Sequence, residues 1–142
     1  MMKFELVLPC YNESKSLAHL IERAQQAALE NGFKEGEFQL VMVENGSKDD
    51  SQKIFAELKK SKWAAWFKLI TVEANQGYGY GLWQGLSSTT APIVGWSHAD
   101  QQCDPADAFK AYHLLKQNET SGHKIFIKGV RHGRNWKDIL VS

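Results

Sequence analysis

The sequence predicts a three-layer α/β/α fold around a mostly parallel sheet. Three observations carry this. Short apolar runs recur along the chain, at 4–8, 38–43, 67–72, 93–96 and 124–128. Stretches with apolar residues at helical spacing separate them. Polar, charged or glycine residues gather directly after each run, where ligands collect in open α/β sheets.

The first run alternates and then meets Pro9, which predicts a strand ending there. Ser14 or Ser16 can cap the next helix, along which Leu17, Leu20, Ile21, Ala24 and Ala28 share one face. Asn31-Gly32 is a natural stop. The second run leads to Ser47 or Asp49 as the start of a helix with Ile54, Phe55 and Leu58 on one face. After the third run comes a glycine-rich turn, Gly77-Tyr78-Gly79-Tyr80-Gly81, then a helix carrying Leu82 and Leu86. Gly85 weakens that helix by about 1 kcal/mol relative to alanine. After the fourth run, Asp104-Pro105 is a strong helix start, with Phe109, Tyr112 and Leu115 facing the core. The fifth run reads as a fifth strand, and residues 136–141 as the beginning of a further helix. Crossovers between the strands should be right-handed.

The chain has 142 residues, 43% of them apolar, which suits one domain with a real core. Lysine and arginine total 17 against 16 acids, for a net charge of +1. That balance gives no electrostatic reason to expect nucleic acid as a partner. Cys10 and Cys103 lack metal spacing, and a reduced intracellular pair is favoured over a disulfide. No signal peptide opens the chain, and no apolar run approaches the roughly 20 residues of a membrane helix. A soluble, cytoplasmic domain is expected. The tryptophans, including Trp63, Trp66 and Trp96, are assigned to core packing by default.

The chemistry-bearing residues follow the runs in order: Pro9-Cys10-Tyr11-Asn12-Glu13, then Glu44-Asn45-Gly46-Ser47-Lys48-Asp49, then Asn75-Gln76-Gly77, then His98-Ala99-Asp100-Gln101, then Lys128-Gly129-Val130-Arg131-His132-Gly133-Arg134. The glycines after the third run are not a dinucleotide fingerprint, which would follow the first strand. They are not a P-loop either, because no Gly-Lys-Ser/Thr occurs. Methyltransferases and nucleotide-cofactor oxidoreductases want a glycine-rich turn where this chain has Pro9 to Glu13.

Five ordered motifs, P-x-Y-N-E, V-E-N-G-S-x-D, N-x-G, H-x-D-Q and K-G-x-R-x-x-R, resemble those of family 2 glycosyltransferases over nearly the whole chain. The likeness is greatest to the dolichyl- and polyprenyl-phosphate sugar transferases. The resemblance implies the Rossmann-like GT-A fold and inverting transfer of a sugar from a nucleoside-diphosphate donor to a lipid-phosphate or saccharide acceptor. It implies a donor site built from Pro9, Tyr11, Asn12, Glu13, Glu44, Asn45, Gly46, Asp49, Asn75, Gly77, His98, Ala99, Asp100, Gln101, Arg131 and Arg134.

In that reading Tyr11 packs near the base, and Glu44 accepts a hydrogen bond from base or ribose. Gln101 faces the sugar, while Arg131 and Arg134 meet the diphosphate. Plainer roles stay open for several of these residues. Tyr11 can be a turn tyrosine and Glu13 a favourable charge at a helix start. Asn45-Gly46-Ser47 can be a turn, and Asp49 a cap. Arg131, His132 and Arg134 can form an exposed basic loop.

His98-Ala99-Asp100 departs from the family's Asp-x-Asp. Asp100 keeps the position expected to ligate Mg²⁺ or Mn²⁺. His98 either joins it as a ligand or hydrogen-bonds the ribose. Asp138 is the only acid after Arg134, and nothing elects it as a base. The whole chain is therefore expected to be one donor-binding domain, truncated before the acceptor half. Its alternative reading is a catalytically incomplete nucleotide-sugar-binding module. An apolar patch where the acceptor half docks, and peripheral membrane association of a full-length protein, are further expectations.

Overall fold

The computed structural model describes residues 1–100, 102–120 and 122–130. In chain order the elements are β1 (Phe4–Cys10), α1 (Leu17–Glu30), β2 (Phe38–Asn45) and α2 (Ser51–Leu58), then a 3-10 turn at Ala64–Trp66. They continue with β3 (Phe67–Val72), α3 (Tyr78–Ser87), β4 (Ile93–Trp96) and α4 (Ala106–Gln117). The strands form one sheet in the order β3-β2-β1-β4, and every pairing is parallel.

Alternation along the strands sorts side chains onto two faces. Phe4, Leu6 and Leu8 of β1 and Leu40 and Met42 of β2 pack with α1, α2 and α4. Val7, Val41, Val43 and Val72 pack on the other face with Leu82 and Leu86 of α3. This distribution follows from chain direction. The chain steps outward from β1 to β3 and then returns to β4 on the far side of β1. Crossovers of one hand put the returning helix on the opposite face. The reversal also creates a crevice between the carboxyl ends of β1 and β4, the favoured ligand position in such sheets.

The predicted helical faces are met in α1 and in most of α2 and α4, with Ile54 partly buried and Leu115 half-buried outside the core clusters. Leu17, Leu20, Ile21, Ala24 and Ala28 are buried in α1, Phe55 and Leu58 in α2, and Phe109 in α4. Asn31 and Gly32 end α1: the Asn31 amide donates to the Ala27 carbonyl at 2.8 Å, and Gly32 takes φ 80°. Phe109 and Tyr112 join Phe4, Phe33 and Phe38 in an aromatic cluster with centroids 4.8 to 6.4 Å apart.

Four local expectations are corrected. First, β1 runs through Pro9 to Cys10. Val7 accepts a bond from Ser97 on the β4 side, and Pro9, two residues on, faces that same side beyond the end of β4. Its missing N–H therefore costs no ladder bond. Second, α3 begins at Tyr78, with only Gly77 at positive φ (96°); Gly79 and Gly81 lie in its first turn. Third, Ser16 precedes α1 without capping it, because its hydroxyl turns back to Glu13.

Fourth, residues 124–128 form no strand. Their alternation survives, with Ile125 and Ile127 half-buried and Phe126 exposed against Trp96 at 5.6 Å. An alternating pattern sets which side chains turn inward; it does not supply a partner for the backbone. The helix expected at 136–141 lies outside the described residues. Of the tryptophans, Trp66 is buried as expected, whereas Trp96 and Trp83 are exposed.

Gly85 has a packing role that propensity does not reveal. A Cβ there would lie 2.4 Å from Val7 Cγ1 and 2.7 Å from Val43 Cγ2. Helix propensity would favour alanine by about 1 kcal/mol, but overpacking a filled core costs about 1–3 kcal/mol. Gly85→Ala is expected to destabilise by up to about 2 kcal/mol net, seen as a lower urea midpoint at unchanged slope. A midpoint at or above that of the parent would mean that α3 moves outward without cost.

Candidate functional site at the carboxyl ends of β1 and β4

The site is built on two loops that hold each other. Asn12, after β1, sits at φ 55°, a left-handed conformation that asparagine tolerates better than most side chains. In that position its N–H donates to Ser47 Oγ at 3.0 Å, and its Oδ1 accepts the Lys48 N–H at 2.8 Å. The next two residues continue the tie: Glu13 N–H donates to Ser51 Oγ at 3.2 Å, and Ser14 N–H to Asp49 Oδ2 at 3.1 Å. Three backbone donors of the β1–α1 loop are thus satisfied by side chains of the β2–α2 loop and the first residue of α2, and one donor of the β2–α2 loop by Asn12.

The third wall comes from β4. Asp100 lines a cavity of about 580 Å³ together with Asn12, Glu13, Ser14, Lys15, Ser16, Lys48 and Asp49. Burial, with the charges of Asp100 and Asp49 nearby, pushes the Glu13 carboxyl above its usual range despite a hydrogen bond from Ser16. At Asp49, desolvation also pushes upward, but hydrogen bonds from Ser51 and Ser14 outweigh it and hold that carboxyl at about 2. Asp49 thus ties the first residue of α2 to the first loop with its two oxygens and also borders the cavity, while the N-cap position of α2 falls to Asp50.

Tyr11, directly after β1, is exposed. Asn75 and Gly77 form the turn before α3: Asn75 Oδ1 accepts the Gly77 N–H at 2.7 Å. Gly46 takes φ 70° against that turn.

Two of the expected donor-site residues are buried and held by protein partners. Glu44, expected to accept from base or ribose, is buried on the α2 face. Its two oxygens take the Ser47 N–H at 2.6 Å and the Gln52 side-chain amide at 3.3 Å, so here it shapes the loop. Asn45 is also buried, donates to the Gly77 carbonyl at 3.2 Å, and has an Oδ1 without a partner. Alternation explains both: they are the last residues of a central strand with both faces covered.

His98 and Asp100 do not share the cavity. Asp100 borders it, whereas the exposed His98 ring lies on the ring of Tyr78, centroids 5.2 Å apart at 25°. Among the described residues no three His, Cys, Asp or Glu side chains converge to hold a metal ion. The fit to a hard cation is therefore partial. Asp100 would hold Mg²⁺ or Mn²⁺ together with oxygens from a diphosphate and water. Gln101, Arg131, His132 and Arg134 lie outside the described residues.

Two remaining groups are structural. Cys10 is buried, its thiol donates to the Leu8 carbonyl, and burial with Glu13 and Glu44 nearby pushes its pKa up strongly, so it is no nucleophile. No disulfide joins it to Cys103. Asp104 accepts from the Ala106 N–H at 2.9 Å and from Arg23 at 3.0 Å, in keeping with a helix start.

A four-stranded parallel sheet whose strand order reverses beside a polar crevice defines an open, doubly wound α/β domain. The match to known proteins narrows that class. The family model for glycosyl transferase family 2 matches residues 5–140, and the chain belongs to that family. The chain is 28% identical over 112 residues to the undecaprenyl-phosphate 4-deoxy-4-formamido-L-arabinose transferase of Pseudomonas savastanoi pv. phaseolicola, covering 79% of this chain and 32% of that protein. The enzyme of the same name from Klebsiella pneumoniae is 27% identical over 107 residues, covering 74% and 31%. The chain thus spans about a third of the length of the curated relatives it matches.

Its fold is that of the GT-A glycosyltransferases. A mannosyltransferase from Pyrobaculum calidifontis in complex with GDP-Man and Mn²⁺ superposes with a TM-score of 0.62 at 21% identity, covering 80% of this chain and 32% of that one. S. aureus TarS residues 1–349 in complex with UDP-GlcNAc give 0.60 at 18% identity, covering 89% and 37%. Among the described residues no helix is long and apolar enough to cross a membrane.

Proposed function

We propose that this chain provides the donor side of an inverting sugar transferase. It binds a nucleoside-diphosphate sugar in the crevice between β1 and β4, for transfer to a lipid-phosphate or saccharide acceptor. The observation that carries the reading is the convergence of the interlocked β1–α1 and β2–α2 loops with Asp100 around one polar cavity at the switch point. The curated relatives, named as undecaprenyl-phosphate sugar transferases, support a lipid-phosphate acceptor.

Each group has a task in this reading. The ties from Asn12 and Asp49 hold the two loops at a fixed separation before the ligand arrives, so less ordering accompanies binding. Tyr11 offers its face to the base. Asp100 and the donor oxygens would hold Mg²⁺ or Mn²⁺, which offsets negative charge on the leaving diphosphate. Arg131 and Arg134 add charge against the same group. A lipid-phosphate acceptor is already anionic and needs no base to deprotonate it.

Calorimetric titration with UDP-, GDP- and dTDP-sugars, with and without Mn²⁺, tests the reading. One nucleotide is expected to bind with Mn²⁺-dependent affinity. Asp100→Ala should weaken that binding by at least the roughly 10- to 100-fold seen when even outer partners of metal ligands are removed. The fold should survive, since Asp100 is exposed and its hydrogen bond to the Gln102 N–H is local. A folded protein that binds none of these sugars would sink the donor-site reading.

A further inference from the structure

The structure pairs two rings across two elements. Tyr78 is the first residue of α3, and His98 follows β4; their rings stack at 5.2 Å and 25°. No sequence motif singles out Tyr78. It is 42% exposed, and its position brings it to the loop that follows β4. Burial raises its phenol pKa, with Asp100 and Cys103 adding to the shift. The stack joins the amino end of α3 to the segment that follows β4 and carries Asp100.

The two outer residues of the His98-Ala99-Asp100 element, His98 and Asp100, thus have different surroundings. Ala99 is buried and anchors the segment, and Ser16 Oγ lies 3.5 Å from its carbonyl. Asp100 borders the polar cavity on the α1 side with Glu13 and Asp49, and His98 does not. An exposed histidine turning freely would lose side-chain entropy on engaging a ligand. Stacking on Tyr78 removes part of that loss beforehand, and leaves the ring nitrogens at the edge to hydrogen-bond.

We propose that Tyr78 is a positioning residue for His98. Held on that ring, His98 engages the nucleoside half of the donor, and Asp100 takes the diphosphate half with its cation. This rests on the donor-site reading given above and divides the labour within it. It makes His98 a hydrogen-bonding group on an aromatic support, outside the cation's ligand set.

The test is binding of the nucleoside diphosphates UDP, GDP and dTDP by calorimetry, each with Mn²⁺ and with chelator. The proteins compared are the parent chain, Tyr78→Phe, Tyr78→Ala, His98→Ala and the double variant Tyr78→Ala/His98→Ala. Losing the stack should weaken binding about threefold to tenfold in Tyr78→Ala, the scale of one aromatic pair. Tyr78→Phe keeps the ring and should bind like the parent. Because Tyr78 acts through His98, the double variant should bind no more weakly than His98→Ala. The ratio of affinities with and without Mn²⁺ should be the same in the parent and Tyr78→Ala.

Additive losses in the double variant would overturn the proposal, since Tyr78 would then touch the ligand itself. So would a Mn²⁺ ratio that collapses in Tyr78→Ala or His98→Ala, which would put His98 on the cation. Parent-like binding by Tyr78→Ala would also end it. If the folded parent chain binds no nucleotide, the donor-site reading fails instead, which separates the two.

Discussion

Lys68→Met is expected to destabilise the fold by about 3 kcal/mol, although Lys68 is far from the candidate site. Glu5 is 1% exposed in the central strand, at the amino end of the sheet. One carboxylate oxygen meets Lys68 Nζ at 2.7 Å. The other accepts the N–H groups of Thr90 and Ala91, which lead into β4. Lys68 also donates to the Ser88 carbonyl at 2.6 Å, just past the end of α3. Removing the ammonium leaves a buried carboxylate without its counter-charge, a change that costs about 3–5 kcal/mol. The lower end applies because the Lys68 side chain is 27% exposed and water can replace part of it.

The pH dependence has a definite sign. Desolvation pushes the Glu5 carboxyl up, but the Lys68 hydrogen bond, the Ala91 and Thr90 N–H groups and the Lys68 charge outweigh it, leaving the pKa below its usual value. A carboxyl lowered in the folded state contributes stability above its unfolded pKa of about 4.3, and loses it as pH falls through the folded value. The gap between parent and Lys68→Met should therefore be widest near neutrality and shrink below about pH 4. Urea midpoints across that range measure it. The double variant Glu5→Gln/Lys68→Met should recover part of the loss, because an amide is cheaper to bury than an unpaired charge. A gap that stays constant with pH would mean that Lys68 contributes through its methylene stem alone.

Some of this was legible in the sequence and some was not, for physical reasons. Strands at 67–72 and 93–96, and the buried face of α1 from Leu17 to Ala28, follow from periodicity, because burial enforces it. The loops at the strand ends are equally readable. The fold class brings them together without any knowledge of pairing. What periodicity cannot express is partnership. Glu5 reads as a polar interruption in β1; only the fold brings Lys68, Thr90 and Ala91 to it. Tyr78 reads as one aromatic among turn glycines until α3 delivers it to His98. Glu44 reads as a ligand-facing acid at a strand end. Which face its side chain takes depends on the register of a strand covered on both sides. The run at 124–128 carries a strand pattern without the ladder that would make it one. Gly85 looks like a weak point in a helix, whereas its missing Cβ lets α3 approach Val7 and Val43.

Gly46→Ala should damage stability and ligand binding together, and a second glycine separates the causes. Gly46 takes φ 70°, and a Cβ there would sit 2.5 Å from the Asn75 backbone nitrogen and 3.0 Å from the Ala74 carbonyl carbon. The left-handed conformation costs an ordinary residue about 1–2 kcal/mol. The contact adds about 1–3 kcal/mol, since the opposing atoms are backbone and cannot swing aside. A total near 3 kcal/mol is expected. Gly36 has a similar φ of 82° but nothing within 4 Å of its would-be Cβ. Gly36→Ala should therefore cost only the conformational part, about 1–2 kcal/mol. The difference between the variants isolates the clash.

The consequence for the site follows from what Gly46 adjoins. Ser47 and Lys48, the next two residues, make both ties to Asn12. Relieving the clash moves that loop away from the Asn75 turn, and Asn12 with it. Nucleotide binding should fall in Gly46→Ala at temperatures where the protein remains folded, and stay at the parental level in Gly36→Ala. Equal binding by both, with near-ultraviolet dichroism confirming a native core, would mean that the interlocked loops are not what holds the donor. The cavity would then owe any affinity to Asp100 and its neighbours alone.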